Sequence, residues 1–253
     1  MARTKQIEMV ISEVQTGKIT VCILGKTPIL LHSLPEKAMR ELLMPSGRKT
    51  TADKKNFLKH DPFQEFKDAP YCIKNPKSST LIGHPSSAVK KSISCAALDI
   101  PGATKKELGR LLWVEDELVP LYGIPKLHMT IVRMPNQQRT PDVRTRAIIQ
   151  NWASIISISY IKPNINEEAI HNLLQAAGIT QGWGEWRNER GSGTYGSFEI
   201  CSPEDKKFQE IIKKGGKASQ IKAMAACEPY NEDTRKLLEW FLKEAKRTGL
   251  RSK

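Results

Sequence analysis

Five glycines fall within the fifteen residues Gly182 to Gly196, interleaved with Trp183, Trp186, Arg187, Arg190 and Tyr195. Glycine permits positive φ and lets a backbone approach a ligand closely. Successive backbone N–H groups in such a loop can bind phosphate. Aromatic rings and guanidinium planes stack on unpaired bases, each worth about 1–3 kcal/mol. Together these residue types point to a single-stranded nucleic acid; the structural alternative is a twisted hairpin whose tryptophans are core. The run is not a dinucleotide fingerprint, because Gly182-Trp-Gly184 follows a predicted helix and precedes a strand, the reverse of the required context. The tetrapeptide Leu24-Gly-Lys-Thr27 lacks the upstream glycine of a Walker loop.

Two further basic groups could hold phosphates. Arg133, Arg139, Arg144 and Arg146 surround a single acid, Asp142, in a stretch that reads as a polar loop from Pro135 to Arg146 after a long strand. Such a loop could track a phosphodiester backbone or simply be solvated. The polar segment from Pro45 to His60 carries Lys49, Lys54 and Lys55 beside Arg48 and Lys59, and reads as a mobile basic loop.

The histidines offer a different chemistry. His32 and His84 each precede a predicted helix and could serve as acid and base on an RNA 2′-hydroxyl, although no spacing forces them together. His128 and His171 have no metal-type pairing. Glu115-Asp116-Glu117 reads as a solvent-facing turn rather than a cation site. No residue is assigned as catalytic, no metal site is expected, and no cofactor is expected.

These groups must be positioned by ordered elements. Lys18–Leu24 reads as a strand that Ile29–His32 continues, and a helix starts at Ser33 or Leu34 ahead of Pro35. Residues 87–97 carry apolar side chains at helical spacing, and a second short helix spans Lys105–Gly109. Leu111–Val114, Leu118–Leu121 and Leu127–Met134 read as short strands, followed by Ala147–Ile149 and Ala153–Ile161. Asn166 caps a helix over Glu167–Ala177 whose first turn bears the acids that the helix dipole favours. Ser197–Ile200 is a strand. Two helices follow, about Pro203–Lys214 and Asn231–Lys246, separated by a flexible basic break at Lys213–Lys217. The order β, α, β, β, α, β with insertions is ferredoxin-like. RNA-recognition modules use the open face of such a sheet.

Length and charge frame these readings. The 253 residues suffice for one large domain or two small ones. Lys plus Arg number 40 against 27 Asp plus Glu, a net charge of +13, which draws polyanions by long-range attraction. Nucleic acid fits that charge best. No apolar run approaches the length of a membrane span, so no membrane partner is expected. Cys22, Cys72, Cys95, Cys201 and Cys227 are dispersed and odd in number, the pattern of reduced thiols in a cytoplasmic protein.

The loop followed by Tyr195-Gly-Ser-Phe-Glu-Ile200 resembles the C-terminal glycine-rich motif of the RAMP superfamily, the RRM-like proteins of CRISPR effector complexes. Gly25-Lys-Thr-Pro-Ile-Leu-Leu-His32, Glu36-Lys37-Ala38, Glu117-Leu-Val-Pro120, the arginine stretch 133–146 and Gly182-Trp-Gly-Glu-Trp-Arg187 are similar to a group of uncharacterised phage proteins. That likeness covers most of residues 18–200. It implies an RRM-like fold with large insertions, in the manner of the subunit that coats guide RNA. Ser197 stands where an RRM would carry a stacking Phe, so backbone tracking by loops fits better than stacking on the sheet.

These observations lead to one expected organisation: an α+β, ferredoxin-like or RRM-like antiparallel sheet over residues 1–202 and a C-terminal helical extension over 203–253. The expected function is non-enzymatic binding of single-stranded nucleic acid, DNA in preference, by a homo-oligomer coating the strand in phage-type replication or recombination. The alternatives are a RAMP-like guide-RNA subunit or endoribonuclease using His32 or His84, and a structural protein that recruits other factors through its C-terminal helices.

Overall fold

A computed structural model describes residues 13–34, 39, 42–44, 59–133, 138–190 and 193–249. Lys49, Lys54, Lys55 and most of the helix expected after Ser33 lie outside them. The described chain is mixed α+β, with a curled antiparallel sheet and seven described helices.

The strand β1 (Gln15–Gly25) lies one in from the sheet's edge, between β9 (Ala153–Lys162) and β10 (Phe198–Cys201). Both neighbours run antiparallel to it, with Lys18 opposite Ser159 and Cys22 opposite Cys201. Side chains alternate between the faces of a strand. Val21 and Ile23 of β1, with Ile156 and Ile158 of β9, therefore fall in the main core. Leu24 and Ala153 fall in a second cluster on the other face. The main core is closed by α2 (Ser86–Ala96), which contributes Val89 and Ile93, and by α4 (Glu167–Thr180), which contributes Ile170 and Leu174. The expected cap of α4 is present: Asn166 Oδ1 accepts from the Ala169 N–H at 2.8 Å.

The far side of β9 is lined by an interrupted strand. Between α2 and that strand, α3 (Lys105–Leu111) carries a capping box, in which Thr104 and Glu107 satisfy each other's backbone N–H groups. Then β5 (Leu112–Val114) pairs with Ile158–Tyr160, and β6 (Leu118–Tyr122) pairs with Ser154 and Ala153. The interruption is made by Asp116, at φ 63. Its neighbour Glu115 accepts from Ser159 and lies 3.7 Å from Lys18 Nζ, so this acid is committed to the sheet. Beyond β6 the sheet continues through β4 (Ile82–Pro85) to β3 (Tyr71–Cys72).

A second, three-stranded sheet stands beside the first. It is built from β2 (Ile29–Leu31) and the hairpin of β7 (Pro125–Arg133) and β8 (Pro141–Ile149), in the order β2-β8-β7. The arginine stretch expected as a loop is thus largely strand, from Pro141 onward, and nine residue pairs hold the hairpin in register. It is packed by α1 (Pro62–Asp68) and by the last helix, α7 (Glu232–Thr248).

After β10 come α5 (Lys206–Lys214), α6 (Lys217–Ala226) and α7. The expected flexible break is confined to Gly215 and Gly216, and α6 was not anticipated. Phe208 and Ile211 of α5 cover Leu24, Tyr122 and Ala153 on the second face. Met224 and Leu238 join the main core. All five cysteines are free. No described helix is long and apolar enough to cross a membrane.

Candidate functional site

The glycine loop runs from the end of α4 to β10 and folds back on β2. Gly184 has φ +81, and a Cβ there would lie 2.6 Å from the Leu30 carbonyl oxygen. That close approach lets the Glu185 N–H donate to the same oxygen at 2.8 Å. Gly196 has φ +72 and sits against Trp183, whose N–H donates to the Gly196 carbonyl at 2.9 Å. The glycines therefore serve close packing of the loop on itself and on β2. At Gly184 and Gly196 the close approach expected toward a ligand is made instead to protein backbone.

This packing sorts the aromatics. Trp183 is 1% exposed. Its ring stacks on His84 at 5.4 Å and 15°, and touches Phe198 and Trp152. Its Nε1–H donates to Ser92 Oγ at 3.1 Å. Trp183 is a core residue, and the expectation that it stacks on bases is corrected by its burial. Trp186 is 48% exposed and is held at φ 55. Tyr195 is half-buried; its N–H donates to the Trp186 carbonyl at 3.2 Å, and it forms an isolated bridge with Arg187.

Trp186 stands at the mouth of a cleft of about 470 Å³. The cleft is also lined by His32, Tyr71, His84, Glu185 and Arg187. Thus the two histidines that no spacing connected share one site. His84 is buried, and desolvation, reinforced by the Arg187 charge, lowers its pKa to about 4, so the ring is neutral at pH 7. His32 stands open at the mouth. Desolvation also lowers its pKa, with Glu185 opposing and Arg146 and Arg144 reinforcing the shift. Arg187 is oriented by Gly184, whose carbonyl accepts from Nη1 at 2.9 Å, and by Glu189, which accepts from Nε at 2.8 Å.

Beside the cleft runs the β7–β8 hairpin with the other arginines. Arg133 and Arg139 are exposed near its tip, Arg139 at φ 45. Arg144 lies 3.2 Å from Asp142 Oδ2. Arg146 is 6% exposed and donates to Glu185 through both Nε and Nη2. The expectation that Arg146 contacts phosphate is corrected: its guanidinium is consumed in an internal ion pair. Arg190 ends a 3-10 turn, Asn188–Arg190.

Two features escaped the sequence reading. Tyr71, 40% exposed at the cleft, lies in a two-residue strand with no local signal of function. His60 bridges Glu65 (2.8 Å) and Asp142 (3.1 Å), and Lys59 reaches Asp142 at 2.6 Å, clasping α1 to the hairpin. The excess of bases around Asp142 was the available clue. Among the described residues, no group of His, Cys, Asp and Glu is arranged to hold a metal ion.

The arrangement offers exposed flat rings over a cleft, one oriented guanidinium within it, and surface arginines on an adjoining arm. No known family model matches this chain, and no curated protein matches it significantly.

Proposed function

We propose that this protein binds single-stranded nucleic acid, DNA in the first instance, without transforming it, and coats the strand as a homo-oligomer. The observation that carries the reading is Trp186, held half-exposed at the mouth of a cleft beside the arginine-bearing hairpin. A strand whose base stacks on Trp186 and that then follows the hairpin would bring phosphates of nucleotides further along it toward Arg133 and Arg139. A net charge of +13 supports the same class of partner. A cytoplasmic, phage-type replication or recombination setting and kinship with RAMP proteins belong to this proposal. Its support is the strand order β10-β1-β9-β6, with α2 and α4 on one face, which matches the 4-1-3-2 order of a ferredoxin-like or RRM-like sheet.

The test is fluorescence anisotropy with matched single-stranded DNA, single-stranded RNA and duplex DNA at two salt concentrations, with size exclusion alongside. Tight, salt-sensitive binding to a single strand and a shift to large assemblies is the expected result. Equal or absent binding to all three would remove the reading.

One observation favours a second reading: His32 and His84 line the same cleft. A neutral imidazole could take the proton of an RNA 2′-hydroxyl as that oxygen attacks the adjacent phosphorus. The 5′-oxygen would leave with a proton from His32 in its imidazolium form, giving a 2′,3′-cyclic phosphate and a 5′-hydroxyl; because desolvation lowers the pKa of that ring, cleavage should be faster in mild acid than at neutral pH. This reading predicts metal-independent RNA cleavage that His32→Ala with His84→Ala abolishes. Unchanged cleavage in the double variant would sink it.

A further inference from the structure

A second concavity lies on the other side of the molecule. It is a groove of about 840 Å³ between the β6–β7 turn, the β8–β9 turn and helices α5 and α6. Its apolar lining is aliphatic: Ile124, Ile211, Ala223 and Ala226, of which Ile124 is 44% exposed. Lys126, Lys207, Lys214 and Lys222 edge it. Two of these lysines are offset by acids on the same rim, Lys214 by Glu210 at 2.5 Å and Lys126 by Glu228 at 3.9 Å. Lys207 and Lys222 are exposed and, among the described residues, have no carboxylate partner.

The walls are rigid. Gln220 is fully buried, and its Oε1 accepts from the N–H groups of Leu81 and Ile82 at 2.8 and 3.0 Å. Its Nε2 donates to the carbonyls of Leu121 and Gly123 at 2.8 and 3.1 Å. One side chain thus fixes α6 to the start of β4 through two hydrogen bonds and to the end of β6 and its turn through two more. The junction of α5 and α6 is fixed as well, by the Gly123 N–H donating to the Gly215 carbonyl at 3.0 Å. A preformed groove of this kind needs no ordering of its own before a ligand enters.

We propose that this groove docks an acidic peptide segment of a partner protein, with one or two aliphatic or aromatic side chains seated on the Ile124–Ile211–Ala223 floor. Its carboxylates would meet Lys207 and Lys222. Charge complementarity selects this occupant. The chain's own charged segments outside the described residues are basic or balanced: Arg3 and Lys5 against Glu8, Lys37 and Arg40 against Glu36 and Glu41, Arg48, Lys49, Lys54 and Lys55 against Asp53, and Arg251 with Lys253. A second copy, also at +13, offers no acidic complement to these lysines, and assembly along a strand would rest on the strand's phosphates neutralising both copies. A nucleic-acid strand would find no ring to stack on and no arginine, and it would meet Glu210 and Glu228 at the rim.

The test pans a random dodecapeptide library over the immobilised full-length protein and, in parallel, over Lys207→Glu with Lys222→Glu. Circular dichroism checks that the variant is folded. The recovered peptides should combine Asp or Glu with bulky apolar residues. The best of them, synthesised with a fluorophore, should bind the variant about tenfold more weakly or worse. Ile124→Ser should weaken it independently of charge. Binding of an oligo-dT strand should be the same for wild type and the charge-reversed variant. Peptides without acidic bias, or a best peptide that ignores both changes, would overturn the proposal. So would loss of oligo-dT binding in the charge-reversed variant together with displacement of the peptide by oligo-dT, which would make the groove a nucleic-acid track. Failure of oligo-dT to bind even wild type, with the peptide result intact, would count against the single-strand reading and leave this one standing.

Discussion

Arg146 on β8 and Glu185 in the glycine loop form a two-pronged ion pair that ties the arginine hairpin to the wall of the cleft. Burying a guanidinium is tolerated only when its donors are satisfied, so each partner fixes the position of the other. Arg146→Ala should cost about 2–3 kcal/mol of stability, since it strands a half-buried carboxylate. It should also weaken single-strand binding beyond any loss of salt sensitivity. Urea melts and anisotropy on Arg146→Ala, Glu185→Gln and the double variant give the coupling energy. Additive single effects would refute the tie.

The two tryptophans of the loop should separate cleanly. Trp186→Ala should weaken binding by about 1–3 kcal/mol while leaving the melting temperature nearly unchanged. Trp183→Ala should cost about 3–5 kcal/mol of stability by opening a cavity against His84, Trp152 and Phe198. Equal binding by wild type and Trp186→Ala would remove the cleft from the interface.

Arg133 and Arg139 make a prediction about salt. If each meets a phosphate of a single strand, replacing it with Gln lowers the slope of log affinity against log salt by roughly 0.7. Anisotropy titrations at several salt concentrations measure that slope. A slope unchanged in the double variant would take the hairpin tip out of contact with the strand.

The clasp between α1 and the hairpin should respond to pH. His60 is held above its ordinary pKa by its hydrogen bond to Glu65 and, against partial desolvation, by Asp142. A group whose folded pKa is raised binds its proton more tightly in the native state. Its contribution is therefore complete below the unfolded value near 6.5 and disappears as pH rises through the folded value. The stability advantage of wild type over His60→Gln, read from urea midpoints, should be largest in mild acid and shrink above neutrality. An advantage that stays constant or grows with pH would disprove the clasp.

Much of the framework could be read from local pattern, because its determinants are local. The cap at Asn166, the acids at Glu167 and Glu168, and the alternation of Ile156, Ile158 and Tyr160 with serines marked α4 and β9 within a residue or a few of their ends. Helix α6 escaped because its buried positions are Gln220 and Met224, and a buried glutamine shows no apolar period. The end of β8, Ala147–Ile149, is legible as strand, but residues 141–146 are not, because Arg144 and Arg146 look like loop residues until Asp142 and Glu185 are seen beside them. The glycine loop was recognised as a place of close backbone approach, but the backbone it approaches is that of Leu30, far away in the chain. Nothing local distinguishes Trp183 from Trp186, since three residues of separation in a non-helical loop sets no common face.

The placement of β1 has a consequence for synthesis. This strand pairs on one side with β9 and on the other with β10, both contributed by the later part of the chain. While a ribosome is still producing the hairpin and everything before it, Val21, Ile23 and Leu24 have neither sheet neighbour. Topologies with such distant pairing fold slowly and expose aggregation-prone strands on the way. The nascent protein must therefore keep an apolar strand in waiting until β9 has been made through Lys162, and its other edge in waiting until Cys201, so slowing translation should not help it fold earlier.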